Sequence, residues 1–193
     1  MNKITNFTFD IDDVVFDTTP RVAKMVCRNL GIKYIRPYDW AFDAYAKIDP
    51  RIPGEIMRVI DSDALFKGRP CHQDIPYALN KLLANPRLTV NFVSARKPEQ
   101  LDATMDQFGK HGIMAKESQV HCLGWSVPKI ETLQKCGTQM HYDDAAHNIE
   151  ECITHGIPAT LISNGQLLYN HHMRGKIPHY INLVRALRAQ KII

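Results

Sequence analysis

Lys3-Ile-Thr-Asn-Phe-Thr-Phe9, followed at once by Asp10-Ile11-Asp12, is a β-favouring apolar run that ends on two carboxylates two residues apart. Alternate residues of an extended chain share a face, so positions 10 and 12 are expected on one side, able to converge on one cation or one phosphate. Carboxylates this close repel each other. A hard divalent cation such as Mg²⁺, which takes oxygens from one or two carboxylates and from substrate phosphate, would relieve the repulsion. The plainer alternative is a polar turn after a strand, a place where Asp is common for its turn chemistry.

Two further runs weigh on that choice. Leu88-Thr-Val-Asn-Phe-Val93 ends on Ser94-Ala95-Arg96, and Met140-His141-Tyr142 ends on Asp143-Asp144. The carboxyl ends of strands in a parallel α/β sheet form the ligand crevice, so three polar clusters at three strand ends are expected to meet.

Helical periodicity fills the intervals. Thr19-Pro20 opens a helix with Val22, Val26 and Leu30 on one face and Gly31 at its end. From about Tyr34 to Pro70 the chain is rich in aromatics and prolines, has a short helical pattern through Ile56, Val59 and Ile60, and shows no strand pattern. Helices are then expected over Pro70 to Leu83, Pro98 to Gly109, Pro128 to Gly137, Asn148 to Gly156 and Ile181 to Leu187, with strands near Val120 to Leu123 and Ile157 to Ile162. The pattern predicts an α/β protein: a Rossmann-like parallel sheet core with helices on both faces and a small helical cap inserted after the first strand. Residues 1–16 and 71–193 are assigned to the core and 17–70 to the cap.

At 193 residues the chain can bury one good core, and one domain with a sizeable insertion suits that length better than two independent domains. Its 45% hydrophobic and 23% charged residues are those of an ordinary soluble protein. A net charge of +4 could steer anionic substrates, but no long basic run marks a nucleic-acid tail, and no stable nucleic-acid partner is expected. The five cysteines are odd in number and form no Cys-x-x-Cys pair, which argues against a disulfide framework and a zinc site and points to a reducing cytoplasm. Nine histidines show no zinc-type pair with a third plausible ligand. The N-terminus lacks a signal peptide's apolar centre, and no stretch approaches the ~18 apolar residues of a membrane span, so neither export nor a membrane partner is expected.

Taken in order, these residues resemble the motifs of the haloacid dehalogenase-like superfamily of aspartate-nucleophile phosphohydrolases, over nearly the whole chain. Asp10-Ile11-Asp12 matches its first motif, Ser94 its second, Lys129 its third and Asp143-Asp144 its fourth. The resemblance implies that Asp10 is the nucleophile and Asp12 the general acid and base. It further implies that Mg²⁺ is held by Asp10, the Asp12 main-chain carbonyl and the Asp143/Asp144 pair, with Ser94 and Lys129 binding phosphoryl oxygens. Arg96 and the adjoining Ala95 are candidate phosphate contacts. Either Asp143 or Asp144 could be the direct metal ligand, and Lys116 and Lys135 lie near Lys129 in sequence. Asp13 departs from the glycine that many members carry there, which puts the local backbone in question.

The cap of about fifty residues, Gly68-Arg69-Pro70 and the Asp-Asp-x-x-x-Asn pattern at 143 to 148 resemble the 5′(3′)-deoxyribonucleotidases. That resemblance implies a nucleoside monophosphate substrate, with Phe16, Trp40, Phe42 and Tyr45 as candidates for stacking on a base. Against this, aromatics in such a segment more often form the cap's own small core. A polynucleotide 3′-phosphatase or sugar-phosphate phosphatase would keep the same motifs; a receiver-type signalling domain or a non-catalytic phosphate-binding protein is the alternative of another class. A homodimer is compatible with the sequence.

Overall fold

The computed structural model describes residues 4–35, 45–62, 64–163 and 175–193. Among these, six strands form one sheet: β1 (Asn6–Phe9), β2 (Thr89–Ser94), β3 (Val120–Cys122), β4 (Met140–Asp143), β5 (Ala159–Ile162) and β6 (His179–Tyr180). Their order is β3-β2-β1-β4-β5-β6 and every pairing is parallel. The order reverses between β1 and β4, the switch point at which open α/β sheets leave a crevice beyond their carboxyl ends.

Helices cover both faces. One face carries α3 (Ile75–Leu83), α4 (Leu101–Lys110) and α7 (Leu183–Ala189), packed on Phe7, Phe9, Phe92 and Tyr142. The other carries α5 (Ile130–Lys135) and α6 (Ala146–Thr154), packed on Val93, Ala159 and Leu161. Strand alternation sorts the two sets, since Phe7 and Phe9 face one way while Thr8 faces the other, beside its register partner His141. Asp10 and Asp143 follow Thr8 and His141 at the same parity, toward the face from which α5 approaches.

A third apolar cluster stands apart. It joins Val22 and Val26 of α1 (Thr19–Leu30) to Ile52, Ile56, Val59 and Ile60 of α2 (Ile52–Ile60) and to Leu65. The chain leaves and re-enters the core through a narrow neck: Asp17 N–H donates to the Arg69 carbonyl at 2.8 Å and Cys71 N–H to the Val15 carbonyl at 2.9 Å. Phe16 and Pro70 form an antiparallel bridge there. Gly68 suits the neck for lack of space, because a Cβ at that position would lie 3.3 Å from the Asp17 carbonyl oxygen.

The expected parallel sheet, flanking helices and inserted helical region are therefore what the structure contains. Details differ at the ends of elements. The helix expected from Pro98 begins as a 3₁₀ turn over Pro98–Gln100 before α4, and β6 was not expected at all. No helix of the described residues is long and apolar enough to cross a membrane. All five cysteines are free thiols.

Candidate active site

Lys129, immediately before α5, is the centre of the crevice. Its Nζ donates to Asp10 Oδ1 at 2.5 Å and to Asp143 Oδ2 at 2.8 Å, tying the end of β1 to the end of β4. Those two strand ends are also joined directly, Asp10 N–H donating to the Tyr142 carbonyl at 2.8 Å. Lys135, by contrast, is exposed and faces Glu131, and Lys116 precedes a surface turn. A buried ammonium is tolerated where carboxylates surround it, and here Asp10 and Asp143 outweigh the burial and raise the Lys129 pKa above its ordinary value.

Asp143 is the best-held carboxylate. Oδ2 accepts from Lys129, from the His141 ring at 3.1 Å and from Asn148 Nδ2 at 3.0 Å; Oδ1 accepts from Ala145 N–H at 2.8 Å and from Asn148 again at 3.1 Å. His141 is itself fixed by the Thr8 hydroxyl, 2.9 Å from its Nδ1. Burial acts against the Asp143 charge, but Lys129 and His141 override it and hold the carboxyl well below the usual range. Asp10 balances differently: burial pushes it up to about 7, with Lys129 opposing and the charges of Asp143 and Asp12 adding to the rise.

Asp12 lines the same cleft as Asp10. The chain bends after Ile11, and the Asp12 carboxylate is gripped by Arg96, Nε to Oδ2 at 3.0 Å and Nη2 to Oδ1 at 2.8 Å, with the Thr18 hydroxyl donating to Oδ1 at 2.6 Å. Burial disfavours the Asp12 charge, yet Arg96 and Thr18 together lower its pKa. The remaining Arg96 nitrogen donates to Thr104 Oγ1 at 3.1 Å and Gln107 Oε1 at 3.0 Å, so its donors are engaged within the protein. Ser94 Oγ lies 3.4 Å from Asp12 Oδ2 and accepts from Arg96 N–H at 3.2 Å.

Asp13 adopts φ 59°, a left-handed conformation that Asp tolerates better than most residues. Its carboxylate accepts from Thr18 N–H at 3.1 Å, from Thr19 N–H at 3.0 Å and from the Thr19 hydroxyl, capping α1 from five residues away. Burial raises the Asp13 pKa to about 7. Burial also raises that of Asp144 well above normal, with the Asp13, Asp143 and Asp10 charges adding to it.

These residues line one cleft of about 370 Å³, within the size range of small-molecule sites. Six acids, Asp10, Asp12, Asp13, Asp143, Asp144 and Glu151, face it against two cations, Lys129 and Arg96. Asp10, Asp143 and Asp144 each offer an oxygen, all within 4.8 Å of one another. Asp10, Asp143 and Asp144 are therefore the residues that could hold a divalent cation, which would offset their mutual repulsion. An all-oxygen donor set and an excess of negative charge fit a hard divalent cation.

Ser94, Ala95, Arg96 and Lys129 all line the cleft with the acids. The proposed base-stacking set fares differently. Phe16 is fully buried, tilted against Phe108 and His111, because the turn after Asp12 carries it back into the core. Tyr45 packs against the α1/α2 cluster. Neither is among the residues lining the cleft, and Trp40 and Phe42 lie outside the described residues. Sequence reasoning missed Trp125, Val127 and Thr18 as lining residues. The turn signal Gly124-Trp-Ser-Val-Pro128 just ahead of Lys129 was the available clue.

No family model and no curated protein sequence matches this chain. Solved structures do. A candidate phosphatase from Clostridium difficile superposes with TM-score 0.66 at 15% identity, over 100% of both chains. YfnB of Bacillus subtilis, a candidate hydrolase of the haloacid dehalogenase (HAD) class bound to magnesium, gives TM-score 0.63 at 10% identity over 98% of this chain and 100% of its own. A HAD family hydrolase from Deinococcus radiodurans, with bound phosphate and sodium, gives 0.63 at 13% identity over 97% of this chain and 95% of its own. The chain thus has the fold of the haloacid dehalogenase-like hydrolases.

Proposed function

We propose that this protein is a Mg²⁺-dependent phosphomonoesterase that works through an aspartyl phosphate on Asp10, with a nucleoside 5′-monophosphate, preferably a deoxyribonucleotide, as substrate. The observation that carries the reading is Lys129 bridging Asp10 and Asp143 at the β1/β4 switch point, with Asp144 completing a three-oxygen cluster. Phosphoryl transfer depends on positioning and charge compensation, and this crevice supplies both. The five free thiols suit a reducing cytoplasm as its setting.

Bound at Asp10 and at Asp143 or Asp144, the cation would offset charge on the phosphoryl group. Either Asp143 or Asp144 could be the direct ligand beside Asp10; the two oxygens of Asp143 already accept five hydrogen bonds that fix its orientation. Asp10 Oδ attacks phosphorus and the ester oxygen departs, splitting the hydrolysis into two displacements. Lys129 holds Asp10 in place and opposes the burial that raises its pKa, and Ser94 offers a hydroxyl to a phosphoryl oxygen.

Asp12, ionised in the Arg96 fork, is set to take a proton from the water that attacks the aspartyl phosphate. To give a proton to the leaving oxygen in the first step, Asp12 has to leave that fork and enter the step protonated; the proton it takes from the attacking water in the second step restores that form. The Asp-Asp-x-x-x-Asn sequence, in which Asn148 holds Asp143, and the inserted helical region support the nucleotidase assignment.

Phosphate release from deoxyribonucleoside and ribonucleoside monophosphates, a 3′-phosphorylated oligonucleotide, sugar phosphates and 2-phosphoglycolate, with and without EDTA, tests the proposal. Preference for a deoxyribonucleotide, abolished in Asp10→Asn, supports it. Preference for another ester keeps the chemistry and replaces the substrate, whereas no metal-dependent release from any ester removes the proposal.

A further inference from the structure

The cleft's outer wall differs in chemistry from its floor. Around the acids and Lys129 it is polar, but Ile60 and Leu65 from the inserted region and Trp125, Val127 and Pro128 from the segment between β3 and α5 also line it. Most large apolar side chains of this protein are buried. Trp125 and Val127 remain 44% and 48% exposed while lining the cleft, so apolar surface is left open to whatever enters.

The backbone on either side of Trp125 is tied to the core. Leu123 N–H donates to the Ser94 carbonyl at 3.0 Å, and Gly124 N–H to the Arg96 carbonyl at 2.8 Å. Gly124 takes φ 94°, where a side chain would be strained, and Val127 N–H closes a turn onto the Gly124 carbonyl at 3.3 Å. Trp125 is one of that turn's two central residues. The same strand end that presents Ser94 to the phosphate therefore anchors the turn that presents the indole, which fixes a ring platform relative to the phosphoryl position.

We propose that Trp125 is the specificity-determining residue of this site, a platform on which a flat heteroaromatic leaving group, such as a nucleobase, stacks against the apolar Ile60 and Leu65 wall. The inference rests on the nucleotidase reading above. It moves base recognition from the inserted region to the core turn ahead of α5. Stacking is tolerant of base identity because every base has a π face, so Trp125 selects for a ring rather than for one base.

The chain has two tryptophans, Trp40 and Trp125, which makes fluorescence a direct probe. In Asp10→Asn protein with Mg²⁺, dTMP and dGMP are expected to quench the emission. The quench should persist in Trp40→Phe and vanish in Trp125→Phe. In otherwise unaltered enzyme, Trp125→Ala should raise KM for these nucleotides about 5- to 150-fold with kcat within about twofold, and Trp125→Phe should restore most of the loss. Turnover of acetyl phosphate, which has no ring, should fall far less than nucleotide turnover in both variants, and their circular dichroism should match that of the parent enzyme. If nucleotides are hydrolysed but Trp125→Ala treats them as the parent enzyme does, the platform is refuted and the nucleotidase reading stands. If acetyl phosphate is hydrolysed while nucleotides are neither hydrolysed nor quench Trp125, the nucleotidase reading falls and this inference with it.

Discussion

Arg96 grips Asp12 through two hydrogen bonds, Nε to Oδ2 at 3.0 Å and Nη2 to Oδ1 at 2.8 Å, while its guanidinium lies 5.1 Å from the centroid of the Phe66 ring. Phe66 belongs to the apolar cluster of the inserted region. One buried side chain thus links the proposed acid and base to the inserted region.

Arg96→Met leaves Asp12 without its counter-charge and is expected to cost about 3 kcal/mol, read as a lowered urea midpoint. A double-mutant cycle with Asp12→Asn separates this from lost packing. The double variant should be less destabilised than the sum of the singles by at least 1 kcal/mol, as for residues sharing one network. Additive losses would show that the fork contributes little.

Lys129→Met should lower kcat/KM by about 100-fold or more, since it removes a pre-positioned charge beside the nucleophile. The unpaired Asp10 and Asp143 should also lower the melting temperature in EDTA more than in Mg²⁺, because a bound cation replaces part of the lost charge. A variant that melts equally early in both would detach Lys129 from the metal cluster.

Asp10 and Asp13 carry pKa values raised to about 7, from 3.8 in a free carboxyl. Between about pH 4 and 7 the native protein therefore keeps protons that the unfolded chain gives up. Their contribution to metal-free stability falls as pH rises through that window and is constant above it. Asp12 and Asp143, with lowered values, act in the opposite sense below pH 3.8 and do not interfere. Since a ligand carboxyl has to shed its proton, Mg²⁺ affinity should weaken about tenfold per pH unit below 7. The Mg²⁺-induced rise in melting temperature should be clearly larger at pH 8 than at pH 6; equal rises would contradict the assignment of Asp10 as a ligand.

Asp13 supplies both a left-handed backbone and the cap of α1. Asp13→Ala should cost about 2 kcal/mol, from αL strain and the lost acceptor together. Asp13→Asn keeps an oxygen for the two amides and should cost much less. Similar denaturant midpoints for the two would place the stabilisation elsewhere.

What the sequence disclosed follows from range. Asp10, Ser94 and Asp143 each end an apolar run, so strand periodicity pointed to all three without knowledge of the fold. Lys129 stood out among neighbouring lysines by its place at a helix start, and the structure puts it on Asp10 across 119 residues. The Arg96 to Asp12 fork spans 84 residues and joins two loops, so no local pattern encodes it. Phe16 is carried into the core by the left-handed turn at Asp13, which no local periodicity registers. Trp125 belongs to no periodic run; only the folded turn against Ser94 and Arg96 shows where it sits. The two-residue strand β6 pairs with β5 at the sheet's edge, too short for any alternation to register.

The central claim is a covalent phosphoryl group on Asp10. Borohydride reduces an aspartyl phosphate to homoserine, and Asp12→Asn, lacking the base for the second step, should accumulate that intermediate from acetyl phosphate, whose acetate leaving group needs no acid in the first. Quenching this variant with borohydride during turnover and sequencing its peptides by mass spectrometry should find homoserine at position 10 alone, dependent on substrate and Mg²⁺. Release of phosphate by the parent enzyme with position 10 unmodified, or homoserine at position 143 or 144 instead, would contradict the account.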